Sequence, residues 1–192
     1  KSAYVELYSD SIRWSHYDDA DAWINAITTL LENVKTTQPT LLQNVASLCA
    51  SGTSASCLLI DSNNAGKVSR TPRMYDFDVL SSSNGANSNV GDVSMDGIRA
   101  MEILERHAPP KHTARAKTGS LAKLLRWNAE KSLQSGEVLA HQADFVSMFL
   151  LNSEPKRQCG AGSQINRRSV TSDWHNCLKL GYDVRKLQWP NW

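Results

Sequence analysis

Apolar positions recur along this chain at two periods, and each period predicts a kind of element. Residues 3–8 (Ala-Tyr-Val-Glu-Leu-Tyr) alternate as an edge or half-buried strand does. Trp23, Ile27, Leu30, Leu31 and Val34 instead share one face at helical spacing. Asp18, Asp19 and Asp21 stand just before that stripe; a calcium loop would need a glycine and a later glutamate, so they read as a helix cap. Residues 45–50 and 56–60 are β-prone and flank a Gly/Ser/Thr stretch, which predicts strand, tight polar turn and strand inside a sheet. Ile98, Met101 and Leu104 mark a helix closed by Pro109-Pro110. Leu121, Leu124, Leu125 and Trp127 mark another over residues 120–134, and Val138-Leu139-Ala140 predicts a short strand with a helix following at 144–151. Strands alternating with helices, without an internal repeat, predict an α/β fold.

Two stretches break the pattern. Residues 81–94 and 153–171 have almost nothing to bury and read as loop insertions. The second carries Lys156, Arg157, Arg167 and Arg168, but no aromatic residues are interleaved, so a solvated loop is the better reading than a nucleic-acid patch. With 192 residues, 41% of them hydrophobic, the chain can bury a core as one domain spanning 1–192. A net charge of +2 is too even to imply a nucleic-acid or membrane partner, and no apolar run approaches the roughly 20 residues of a bilayer span. A small molecule is the expected partner. Cys49, Cys57, Cys159 and Cys177 show no CxxC spacing and no asparagine has the glycosylation pattern, so free thiols in a reducing compartment are expected. A Cys159–Cys177 disulfide stays open. The first residue is Lys, not Met, which suggests a chain cut from something longer.

Candidate chemistry starts at Ser51-Gly52-Thr53-Ser54-Ala55-Ser56. A glycine lets backbone approach a ligand closely, and several neutral hydroxyls can both donate to and accept from a polyol. The competing reading is a turn whose hydroxyls satisfy its own backbone. Lys117-Thr118-Gly119 runs into Ser120-Leu121-Ala122-Lys123, so KTG and SxxK, two signatures of penicillin-recognising serine enzymes, abut here in reversed order and without an intervening Ser-x-Asn. That makes an acyl-enzyme on Ser120 with Lys123 a remote alternative. His107 and His112 lack partners at metal-ligand spacing, and Gly66-Lys67-Val68-Ser69 lacks the upstream glycine of a phosphate loop. His141 and His175 read as hydrogen-bonded, partly buried histidines ahead of direct ligands.

Several blocks together resemble the FGGY carbohydrate kinases, in particular the ribulose-kinase and xylulose-kinase-like branch of plants and cyanobacteria. Gly52-Thr53-Ser54-Ala55-Ser56-Cys57-Leu58-Leu59-Ile60-Asp61 is similar to that family's Asp-Gly-Thr-Ser-Gly/Ala turn and the strand after it, with Ser54 where the family's serine lies against the sugar. Thr118-Gly119-Ser120-Leu121-Ala122-Lys123-Leu124 resembles its Ser/Thr-rich helix start, and Leu139-Ala140-His141-Gln142-Ala143-Asp144-Phe145 its Gln-Ala-Asp-Trp segment. The run Ser172-Asp173-Trp174-His175-Asn176-Cys177-Leu178-Lys179-Leu180-Gly181-Tyr182-Asp183, followed by Trp189-Pro190-Asn191-Trp192, resembles the family's Ser-Asp-Tyr-His/Asn-Asn-Ala-Leu-Lys-Leu-Gly-Tyr and Tyr-Pro-Ser-Trp blocks. The blocks stand in family order over residues 45–192. Ser51 replaces the family's aspartate, and Tyr75-Asp76-Phe77 stands where Tyr-Asn-Gln is expected.

The resemblance implies a ribonuclease H-like domain of the actin and hexokinase type, incomplete at its N-terminus and without its second domain. It implies ATP-dependent phosphorylation of a ketopentose, D-ribulose ahead of D-xylulose, by a longer parent using ATP and Mg2+. This chain would supply the sugar-binding wall and be inactive alone, since the phosphate loop and catalytic base would lie outside it. The implied substrate-side residues are Gly52, Thr53 and Ser54, with Asp144 and Asp173 as further candidates that first fix helix starts. The compartment expected is cytoplasm or plastid. The alternative from a different class is a non-catalytic sugar-binding or degenerate kinase module.

Overall fold

The four residues Cys57, Leu58, Leu59 and Ile60 have no exposed surface, and the larger part of the fold is arranged around them. They form strand β1 (Cys57–Asp61), the middle of a three-stranded sheet ordered β2-β1-β3 in this computed structural model, which describes residues 4–14, 16–82, 93–152 and 170–192. Both neighbours, β2 (Lys67–Arg73) and β3 (Glu137–His141), run antiparallel to β1. The β1–β3 register is regular from Cys57↔His141 to Asp61↔Glu137, whereas the β1–β2 register shifts twice between Cys57 and Ile60. Helices and strands are mixed, as their alternation predicted, and the sheet is antiparallel throughout.

The chain divides into two compact units, residues 1–49 and 50–192. In the first, α1 (Ala20–Thr37) is capped by Asp19, whose carboxylate accepts from Asp21 N–H at 2.9 Å, which bears out the reading of the acidic cluster as a cap. Trp23 is fully buried, donates from Nε1 to the Tyr17 carbonyl at 2.8 Å and packs at a tilt against Trp14. A short helix α2 (Pro39–Gln43) follows, with proline in its first turn where a missing N–H costs nothing.

Two expected strands do not form. Residues 4–8 and 45–50 pair with no strand among the described residues, and Tyr4, Val5, Leu7, Val45 and Leu48 are exposed. The alternation and β-propensity are present, but a strand needs a neighbouring edge to take its backbone hydrogen bonds. Both sides of β1 are already taken by β2 and β3, neither supplied by residues 45–50.

In the second unit, β1 alternates its side chains between two faces. Cys57 and Leu59 pack with Leu139 against Leu124 and Trp127 of α4 (Ser120–Glu130), below α3 (Met95–His107), which adds Leu104 and Met101 to a second cluster around Val79 and Ala122. Gly97 lets α3 come this close, because a Cβ there would overlap the Val79 carbonyl. Met148 of α5 (Gln142–Asn152) lies against Gly66, which Ile60 also approaches. A single 3-10 turn at Thr113–Arg115 and a short helix α6 (Trp174–Lys179) complete the unit. The loop insertions read at 81–94 and 153–171 fall mostly outside the described residues, as does Cys159; Ser81 and Val93 form an isolated antiparallel bridge. Cys57 and Cys177 carry free thiols.

Charge locks the sheet to α4. Arg70 on β2 donates from Nε and Nη2 to both oxygens of Glu137 on β3, at 2.9 and 2.7 Å, and from Nη1 to the Trp127 and Lys131 carbonyls at the end of α4. One guanidinium thereby satisfies a carboxylate and two helix-end carbonyls. The Arg70 hydrogen bonds hold the Glu137 carboxyl down at about 2 from its ordinary 4.5. Arg70→Ala leaves that nearly buried carboxylate unpaired and is expected to cost about 3 kcal/mol in urea unfolding. In the wild type the Glu137 contribution is fully present above pH 4.5 and is lost as the pH falls through about 2. Arg70→Ala should lose the largest part of that acid-sensitive component, the Ser69 hydroxyl and Gln134 N–H keeping the rest, and an unchanged acid profile would contradict the assignment.

Candidate functional site

The polar loop at 51–56 leads directly into β1 and is pinned from below. Ser51, Gly52, Thr53 and Ser54 are exposed, while Ala55 and Ser56 are buried. Gly52 lies against the start of α5: a Cβ there would sit 2.8 Å from Ala143 N and 3.1 Å from the Gln142 side chain. Only glycine lets the loop approach this closely. Thr53 donates from its backbone N–H and from Oγ1 to the same acceptor, Gln142 Oε1, at 2.9 and 3.0 Å. Ser56 Oγ lies 2.6 Å from Thr53 Oγ1 and accepts from Tyr75 N–H at 3.0 Å. With Thr53 donating to Gln142, the chain runs Tyr75 N–H to Ser56, Ser56 to Thr53, and Thr53 to the amide.

That network divides the hydroxyls. Thr53 and Ser56 are engaged with each other, with Gln142 and with the Tyr75 N–H, not with the loop's own backbone as the turn reading expected, whereas Ser51 and Ser54 are exposed. Gly52, Thr53 and Ser54 thus come together at one exposed edge, Thr53 as the anchor and Ser54 as an outward hydroxyl.

Ala55 closes the loop at φ 64°, in the left-handed region that costs a non-glycine residue about 1 kcal/mol. Its carbonyl is held by Lys123 of α4, whose Nζ donates to Ala55 O at 2.8 Å and to Met74 O at 2.5 Å with no exposed surface. One buried side chain joins the loop, the end of the β2 segment and α4. Burial pushes the Lys123 ammonium down to about 8 from its ordinary 10.5. A neutral amine keeps two N–H groups, enough for both carbonyls, so the geometry serves either protonation state. Beside it Arg73 pairs with Glu130 and lies over the Phe77 and Trp127 rings, and Arg126 donates to Glu130 and to the Val79 and Ser81 carbonyls.

Behind the loop stand Ser120, His141 and Asp144. His141 Nε2 lies 2.9 Å from Ser120 Oγ and Nδ1 lies 3.0 Å from Asp144 Oδ2. The connectivity is that of a hydrolase triad, but the setting is not. Ser120 is fully buried and His141 is 1% exposed, so no acyl group can reach the hydroxyl. The Lys123 ammonium is committed to two carbonyls instead of to Ser120. Asp144 also accepts the His141 backbone N–H at 2.9 Å, the third-position half of a capping box that starts α5. The three side chains brace α4, β3 and α5 against one another. Burial also pushes the neighbouring Cys57 thiol up to about 12, which leaves it inert as a nucleophile.

Gln142, between His141 and Ala143, holds a buried anomaly. Its Oε1 must face Thr53 N–H, because a backbone N–H can only donate; the NH2 is therefore assigned without ambiguity. Nε2 then lies buried without a hydrogen-bond partner. An unmade bond of this kind costs about 1–3 kcal/mol.

The other candidate carboxylate, Asp173, is exposed and caps α6, accepting from Asn176 N–H at 2.8 Å and Asn176 Nδ2 at 3.0 Å. Cys177, one turn on, has its thiol raised first by burial, with Asp144 and Asp173 both close enough to add to the shift. Asp144 and Asp173 each serve a helix start. Trp192 lies over Gly181 and edge-on to His112, and Tyr182 packs edge-on to Trp189, so the Trp-Pro-Asn-Trp block folds back on the Leu-Gly-Tyr block. His175 is exposed. Among the described residues no three His, Cys, Asp or Glu side chains converge to hold a metal ion, and no helix is long and apolar enough to cross a membrane. No family model matches the chain.

Sequence reasoning passed over Gln142 as a site residue and read Lys123 only within SxxK and the family-like block at 118–124. The Gln142 signal was its place at the first position of α5 beside Asp144, but its contact with Thr53 spans 89 residues and is invisible without the fold. The Lys123 pKa gives a direct check. Between pH 8 and 10.5 the unfolded chain holds a proton that the folded protein has released, so stability rises with pH across that window. Lys123→Met should abolish the rise in urea unfolding series, and an identical rise in the variant would contradict the assignment.

Proposed function

We propose that this chain is the sugar-side wall of an FGGY-type carbohydrate kinase, with a ribonuclease H-like fold completed by a longer parent. In that reading the parent transfers the γ-phosphate of ATP to a hydroxyl of a ketopentose, D-ribulose ahead of D-xylulose, in cytoplasm or plastid. The observation that carries the reading is the convergence of the family-like blocks. Thr53 bonds Gln142, Lys123 bonds Ala55, Ser120 bonds His141, and Cys177 feels both Asp144 and Asp173. Segments as far as 89 residues apart in sequence thus meet behind one exposed loop of Gly52, Thr53 and Ser54.

That loop suits a neutral polyol. It offers backbone edges and outward hydroxyls, and its cations are turned inward onto carbonyls and carboxylates, so nothing in it selects for charge. Asp144 and Asp173 position α5 and α6 beside it and are assigned to the sugar wall through those helices. The described residues offer no magnesium ligand set, so no residue here is assigned to ATP or Mg2+ and no transfer step is derived from this chain. When bound to the parent, ATP with Mg2+ would supply the phosphoryl group. A non-catalytic sugar-binding module shares the loop and differs only in lacking turnover.

In the full-length parent, Ser54→Ala is expected to lower kcat/KM for D-ribulose at least tenfold in an ADP-release assay, the scale of one lost hydrogen bond to a buried ligand. Sugar-dependent ADP release that is unchanged in the variant would remove Ser54 from the wall. Saturable sugar binding without ADP release would favour the module, and neither binding nor turnover would overturn the reading.

A further inference from the structure

We infer that Gln142 is a positioning residue of the sugar-side wall: it holds Thr53 and Ser56, and through them fixes where Ser54 stands. This rests on the sugar-side reading of residues 52–54. Gln142 grips the loop at both ends. Its Oε1 accepts from Thr53 N–H at 2.9 Å and from Thr53 Oγ1 at 3.0 Å, and its backbone N–H donates to the Ser56 carbonyl at 2.9 Å. Ser56 N–H donates in turn to the Thr53 carbonyl at 3.1 Å, which closes a four-residue turn over Thr53–Ser56. Ser54 is the first of the turn's two central residues and is exposed between two held neighbours. The second, Ala55, stands at φ 64°, a value turns ordinarily give to glycine or asparagine, and Lys123 holds its carbonyl.

Gln142 is itself anchored. It opens α5 directly after β3, and His141 before it is joined to Ser120 of α4 at 2.9 Å and to Asp144 of α5 at 3.0 Å. A clamp fixed in three elements thus governs a loop that is in neither helix nor sheet. Stability alone does not call for a glutamine here. Its Nε2 is buried without a hydrogen-bond partner among the described residues, a cost that an apolar side chain avoids. What a leucine cannot do is accept from Thr53 N–H and Oγ1–H. Thr53 is exposed, so water can take the place of the amide oxygen there, and the loss of Gln142 falls on the set shape of the loop and not on the core. A loop set before the ligand arrives gives up little freedom on binding.

Gln142→Leu removes the acceptor and the unpartnered NH2 together, whereas Gln142→Glu keeps an accepting oxygen in either protonation state. The 192-residue chain and both variants are titrated with D-ribulose by calorimetry and unfolded in urea, and hydrogen exchange of the Thr53 amide is read by 15N NMR. For Gln142→Leu the expected result is a urea midpoint no lower than wild type, roughly tenfold weaker ribulose binding and a Thr53 amide that loses its protection. Gln142→Glu is expected to restore the affinity to within about threefold of wild type. Equal affinity in a folded Gln142→Leu, or a folded Gln142→Glu that binds as weakly, overturns the inference and leaves the sugar reading standing. A Gln142→Leu chain that does not fold also overturns it, by making Gln142 a structural residue. If Gln142→Glu does not fold, the wild-type Thr53 amide decides: protection before sugar is added supports a pre-set loop, and protection only after sugar overturns it. Absence of saturable ribulose binding by the wild type overturns both the inference and the reading it rests on.

Discussion

A buried lysine holds this fold's central loop in place. Lys123 extends from α4 and donates to the carbonyls of Ala55 and Met74 without exposed surface. Ala55 sits at a positive φ that an L residue adopts only under constraint, and the Lys123 bond to its carbonyl is part of that constraint. Because the same ammonium ties the end of the β2 segment, the loop, the sheet and α4 keep one mutual arrangement. The remaining buried polar groups follow from that choice. Arg73 and Arg126 share Glu130, Arg70 takes Glu137, and His141 joins Ser120 to Asp144. The buried face of α4 is thus partly ionic, and each charge on it finds a partner, as a low-dielectric interior demands.

The polar network and the exposed loop belong to one design. The Thr53 and Ser56 hydroxyls and the Gln142 amide oxygen are spent on holding the loop, while Gln142 Nε2 has no hydrogen-bond partner. Thr53 and Ser56 relay hydrogen bonds from Tyr75 to Gln142, so the outward face is left to Ser51, Ser54 and the backbone. A loop whose conformation is set from behind loses little freedom when a ligand arrives in front, which favours binding of small polar molecules. The Ser120, His141 and Asp144 chain shows how connectivity alone misleads: the distances match a triad, and burial decides that it braces three elements.

Local signals in the sequence carried the helices and β1. Asp19, the Trp23 stripe and the Leu104 and Trp127 faces all acted where short-range spacing said they would, because capping and amphipathicity depend on near neighbours. The alternating stretch at 4–8 and the β-prone stretch at 45–50 were misread as strands, since pairing depends on an edge that no local pattern reveals. Strand β2 went unread because Lys67, Ser69, Arg70 and Arg73 break any apolar alternation; Arg70 is placed by an ion pair to Glu137 on β3 and Arg73 by one to Glu130 on α4. At the candidate site, Gly52, Thr53 and Ser54 were legible as an exposed polar loop. Gln142 and Lys123 were not, because each acts through a partner more than 60 residues away.

The sugar-side reading is tested most directly by hydrogen–deuterium exchange of the 192-residue chain with and without D-ribulose. Protection confined to the peptides covering residues 50–57 and 141–145 is the predicted result, because those are the two segments that Thr53 and Gln142 join. Protection elsewhere, or none at saturating sugar, would contradict a sugar site at this loop.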